Sequence, residues 1–153
     1  MPSSQRMPLH VRSFVHLLVD PVMSFAMNPE LPPGGSRSPQ LDELALSRLR
    51  ELDPGGRHGV LQRVLTAFET SLMRLLAQLA AEPDSGHAAV VLSVAHTLKS
   101  SSASVGALQL SRTCAEVERR LHDGDAGDLQ ADVSGLLEAG ESALLAVRAM
   151  LRG

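Results

Sequence analysis

The chain has 153 residues, 44% of them hydrophobic, a formal net charge of −3, three Phe and neither Trp nor Tyr. That length builds one domain with a substantial core rather than two ordinary ones, and a leucine- and alanine-rich, aromatic-poor balance suits a helical bundle better than a sheet. An acidic net charge without an extended basic patch gives no electrostatic case for nucleic acid, and the single cysteine excludes an internal disulfide or a cysteine-based zinc cluster.

Residues 1–39 differ in character from the rest. Pro2, Pro8, Pro21, Pro29, Pro32, Pro33 and Pro39, with Gly34-Gly35-Ser36, mark a Pro/Gly-rich N-terminal arm, partly disordered, ahead of a helical domain over 40–153. Phe14, Val15, Leu17, Leu18 and Val19 fit three readings equally: a short helix against the bundle, a partner-binding segment, or a remnant of upstream sequence. Arg12, Asp20 and Glu30 cut the uncharged runs well short of the ~20 apolar residues a membrane span needs. His16, Asp20 and Pro21 likewise spoil a secretory leader, so the expected location is the cytoplasm.

Helical punctuation begins at Ser38-Pro39, an N-cap and first-turn pair followed by Asp42 and Glu43 where the helix dipole favours acids. Leu41, Leu44, Ala45, Leu49 and Leu52 share a face and predict a short first helix, broken by Asp53-Pro54-Gly55-Gly56. A long second helix follows, with Val60, Leu61, Val64, Leu65, Phe68, Leu72, Leu75, Leu76 and Leu79 as its stripe. Pro83-Asp84-Ser85-Gly86 turns the chain into a third long element over about 85–104. After Gly106, the residues Ala107, Leu110, Cys114, Val117 and Leu121 step by threes and fours, a coiled-coil-like seam on which Cys114 reads as a small core residue. Asp123-Gly124-Asp125 turns the chain again, and a last helix carries Leu129, Val133, Leu136, Leu137, Ala143, Leu144, Val147 and Leu151. Short connections between long helices favour antiparallel neighbours. The expected fold is all-α: an antiparallel up-down four-helix bundle with an additional short N-terminal helix laid across it.

The third long element holds the feature of most interest. At about 100° per residue, Ala88, Val91, Leu92, Ala95, Leu98, Ser102 and Val105 form its core-facing stripe. His96 falls just outside one edge. Its neighbours one turn away are Leu92 and Ser93 behind and Lys99 and Ser100 ahead, with Ala89 and Ala103 two turns off. An edge histidine that merely closes the core needs no cleared surroundings. A ring flanked by Ala and Ser, with a cation in reach, is one presented to another macromolecule. The remaining histidines, His10, His16, His58, His87 and His122, fall in the arm or near helix ends and read as exposed; no two are spaced one turn apart, which argues against a metal pair.

The run His96-Thr97-Leu98-Lys99, the small residues after it, Gly106-Ala107, and Cys114 and Glu118 in the next helix together resemble the histidine-containing phosphotransfer (HPt) domain, a family that relays phosphoryl groups in bacterial multistep two-component signalling. The resemblance covers roughly residues 40–152. It departs in one place, where Ser100 stands at a position that is usually glycine in the family; serine keeps the ring accessible and adds a hydroxyl able to bond a phosphoryl oxygen or the helix backbone. The resemblance implies that His96 is the phosphoacceptor and Lys99 a nearby electrostatic stabiliser. Ser93, Ser100 and Ala103 would then leave room for the partner, and Glu118, which matches a recurring family acid, reads as structural.

Histidine suits this work because an unperturbed imidazole, with a pKa of about 6.5, keeps a free lone pair near neutral pH and can attack the phosphorus of an aspartyl phosphate. The arriving group brings roughly −1.5 to −2 charges, part of which a lysine one turn away offsets. The chain shows no phosphate-cradling glycine-rich loop and no ATP-binding region, so the expectation is a phosphoryl carrier without kinase activity of its own. The resemblance also implies receiver domains of response regulators or hybrid histidine kinases as partners, with the Mg2+ ion on the receiver and no cofactor or metal on this chain; a monomer is the expected state, although the sequence leaves oligomerisation open. A module that docks a receiver or kinase without transferring phosphate is the main alternative. A haem or metal bundle using His96 lacks further inward-facing ligands other than Cys114.

Overall fold

A computed structural model of the chain describes residues 39–81, 87–125 and 127–153. The expectations for residues 1–38, including the apolar run from Phe14 to Val19, for Pro83 to Gly86, and for His10 and His16 lie outside the described residues. Five helices and no strand are found among those described: α1 (Glu43–Glu51), α2 (Val60–Ala81), α3 (His87–Val105), α4 (Leu108–His122) and α5 (Leu129–Arg152). The fold is all-α, as the apolar spacing predicts.

Consecutive long helices pack side by side, α2 on α3, α3 on α4 and α4 on α5, and α5 closes the ring against α2. α3 and α5 meet only sparsely across the middle, while α1 lies on α2 and α3. The interior is aliphatic. Leu65, Leu72, Leu76 and Leu79 of α2, Val91, Val94 and Leu98 of α3, Leu110 and Val117 of α4 and Leu136 of α5 are almost wholly withdrawn from solvent. Each such side chain contributes about 1.5–3 kcal/mol relative to an exposed one.

Polar ties sit at the margins of this core. The carboxylate of Asp132, buried on α5, pairs with Arg120 of α4, and Arg148 of α5 donates from Nε to Glu69 Oε1 of α2 at 2.6 Å. The α2–α5 crossing is close at Gly140, where an added Cβ would lie 2.6 Å from Leu76 Cδ2. Asp53, also buried, accepts from the backbone N–H groups of His58 and Val60 and so caps the entry to α2.

The start of α1 departs from the sequence reading. The N-cap is Asp42, whose side chain accepts from Ala45 N–H at 3.0 Å, and Pro39 precedes the helix rather than opening it. The face also differs, with Ala45 and Leu46 buried while Leu44 and Leu52 are 61% and 69% exposed. A contact distant in sequence decides this. Asp42 N–H donates to the Gly106 carbonyl at 2.8 Å, which seats the helix start on the α3–α4 junction.

That junction is a glycine C-cap. Gly106 has φ +85°, its N–H bonds the Ala103 carbonyl, and Ala107 N–H bonds the Ser102 carbonyl at 2.8 Å. α3 therefore stops at Val105, and α4 starts within three residues in the opposite direction.

Candidate functional site

α3 presents two faces whose boundary sets the site. The buried face is Val91, Val94, Ala95, Leu98, Ser102 and Val105, joined at the N-terminus by His87. Three expectations are corrected here: Val94 replaces Ala88 and Leu92 on the stripe, Ala88 is exposed and Leu92 half-buried, and His87 is buried rather than exposed. His87 occupies the first residue of α3. His58 and His122 are exposed as expected.

His96 stands on the solvent side of that boundary, with 70% of its side chain exposed. Ser93, Ser100 and Ala103 are exposed on the same side, three, four and seven residues from it, so they surround the ring one and two turns away. Lys99 is half-buried beside them. The hydroxyls of Thr97, Ser101 and Ser104 donate to carbonyls four residues earlier, so these donors are engaged within their own helix.

The residue that completes the site comes from α4. Glu118 is buried on the seam beside Cys114 and Val117, and its Oε1 lies 2.7 Å from His96 Nδ1. Lys99 Nζ is 2.5 Å from Oε2, an ion pair outside good hydrogen-bonding angles. The Lys99 ammonium, and then the His96 ring, hold the Glu118 carboxyl down at about 2 against the opposing effect of burial. Glu118 is therefore ionised at any ordinary pH. An ionised carboxylate only accepts hydrogen bonds, so the ring nitrogen facing it carries the proton, and in the neutral form of the ring the lone pair is then on Nε2. His122 Nε2 approaches the same oxygen more loosely, at 3.8 Å.

Sequence reasoning took Glu118 as structural, whereas the fold makes it the hydrogen-bond partner of His96. A signal was present. An acid one turn from Cys114 on an apolar seam requires a cation or a donor from the facing helix. Cys114 beneath it is fully buried, and burial, then the nearby Glu118 charge, push its thiol up to about 12, which leaves it inert. Among the described residues, no group of three His, Cys, Asp or Glu side chains is placed to hold a metal ion, and no helix is long and apolar enough to cross a membrane.

His96 is thus an exposed imidazole that faces a buried carboxylate and is surrounded by small side chains. The family model for the Hpt domain matches residues 63–152, and the chain belongs to that family, whose work is histidine phosphotransfer in two-component systems with receiver or kinase partners. No curated protein and no solved structure gives a significant match.

Proposed function

We propose that this chain is a phosphorelay intermediate: His96 accepts a phosphoryl group from the phosphoaspartate of one receiver domain and passes it, reversibly, to the aspartate of another. The observation that carries the reading is the 2.7 Å contact from His96 Nδ1 to Glu118 Oε1 on a ring that is otherwise open. With Nδ1 protonated and held, Nε2 attacks phosphorus. The N–P bond forms as the aspartyl O–P bond breaks, and the partner's carboxylate leaves with the electron pair. The ring then carries a positive charge, which Glu118 balances without any proton having to leave Nε2.

Lys99 neutralises Glu118 in the resting protein, and its flexible four-carbon stem lets the ammonium turn toward the arriving phosphoryl group. Ser93, Ser100 and Ala103 form the surface on which the receiver rests. In this reading the Mg2+ of the reaction belongs to the receiver, the chain carries no cofactor and has no kinase activity of its own, and it works as a cytoplasmic monomer whose functional domain is 40–153.

The test is transfer from phosphorylated receiver domains in Mg2+ to wild type and to His96→Gln. Acid-labile, base-stable label on the wild type alone is expected. Melting temperature should stay near the wild-type value, because the ring is largely exposed. Label that survives His96→Gln would place the acceptor elsewhere. Binding of a receiver without label on the wild type would make the chain a docking module.

A further inference from the structure

Among the described residues, the polar ties from α4 to α3 all reach the single turn from His96 to Lys99. Glu118 takes the two side chains, and Ser111 Oγ donates to the backbone carbonyl of Lys99 at 2.8 Å. Ser111 and Glu118 are seven residues apart, so they share a face of α4 about 10.5 Å apart along its axis. Side chains lean toward the N-terminus of their own helix. In this antiparallel pair, His96 and Lys99 therefore lean toward Glu118, and Glu118 leans back toward them.

We infer that Ser111 is a positioning residue for phosphoryl transfer: its hydroxyl locks α4 in register on α3 and thereby sets the distance between the Glu118 carboxylate and the His96 ring. This rests on the assignment of His96 as acceptor. Three of the fully buried residues in this stretch are small, Ala95 and Ser102 on α3 and Cys114 on α4, set among the larger Leu98, Leu110 and Val117. Small side chains offer less interdigitating relief against sliding along the helix axis than Leu or Val do. A shift of about 1 Å directed along the contact takes a 2.7 Å hydrogen bond to about 3.7 Å, beyond bonding range, while apolar contacts of the same seam survive it. The acceptor of the Ser111 bond is main chain, so it is independent of any rotamer on α3. The neighbouring hydroxyls of Thr97, Ser101 and Ser104 bond within α3 and fix no register.

The experiment reads the His96 imidazole by 15N–1H NMR in the unphosphorylated full chain, together with the rate of transfer from a phosphorylated receiver domain. Ser111→Ala is expected to lower the fraction of ring protonated at Nδ1 and slow transfer several-fold with helicity retained. Ser111→Thr should restore both, Ser101→Ala should change neither, and Ser111→Ala should have no further effect in a Glu118→Ala background. A wild-type ring signal and rate in Ser111→Ala overturns the inference. So does a loss of rate that tracks lost helicity or adds in full to that of Glu118→Ala. The ring signal needs no transfer, so a wild type that takes no label at His96 sinks the acceptor assignment separately.

Discussion

Replacing Gly106 with alanine tests whether the seat of α1 is built on a position only glycine fills. The new methyl carries two separate costs. At φ +85° any L side chain is strained by about 1–2 kcal/mol. The added Cβ would also lie 2.6 Å from Asp42 N and 2.9 Å from Asp42 O, main-chain atoms that move only if α1 moves. Displacing α1 breaks the Asp42–Gly106 hydrogen bond, about 1 kcal/mol, and uncovers part of Leu46, a side chain now fully buried and contributing about 1.5–3 kcal/mol. The total for Gly106→Ala is then about 3–5 kcal/mol. Gly124 is the control: its φ is +75°, but nothing lies within 4 Å of an added methyl, so Gly124→Ala bears the strain alone, about 1–2 kcal/mol. Urea unfolding followed by circular dichroism measures both. Equal losses for the two variants would refute the argument that α1 rests on a glycine-sized gap.

Lys99→Ala is expected to slow phosphoryl transfer several-fold without preventing it, and an unchanged rate would reduce Lys99 to a partner of Glu118 alone. Because the Glu118 carboxyl titrates at about 2 rather than 4.5, the stability it contributes is complete above about 4.5 and is lost as pH falls toward about 2. The stability gap between wild type and Glu118→Gln in acid titrations should therefore close over that interval, and a constant gap would contradict the assigned ion pair. Gly140→Ala places a methyl 2.6 Å from Leu76 Cδ2 and should cost about 1–3 kcal/mol, recovered in large part by Leu76→Val in the same chain; thermal melts of the single and double variants decide it.

The bundle was legible because α2, α4 and α5 repeat Leu and Val at steps of three and four with charges between them. α3 gave a poorer signal. Its run of Ala, Val and Ser has little contrast between faces, so Ala88 and Leu92 were as good candidates for the core as Val94, and only packing against α2 and α4 selects among them. The first helix was mis-started because Ser38-Pro39 and Asp42 are both sound caps locally; the bond to Gly106, 64 residues on by sequence number, chooses between them. His96 and Lys99 stood out through their small neighbours. Glu118 did not, since its role depends on a helix pairing that no local pattern contains.

The sequence of α3 contains no carboxylate, and Lys99 is its only lysine or arginine. A protein approaching that helix therefore meets hydroxyls and methyl groups rather than a strong field. The charges of α3 itself therefore add little electrostatic steering to encounter with a partner, against an unsteered docking rate of about 10⁵–10⁶ M⁻¹s⁻¹. Selection among many receivers in one cell would fall to the shape of the contact and the lifetime of the complex rather than to its speed of formation.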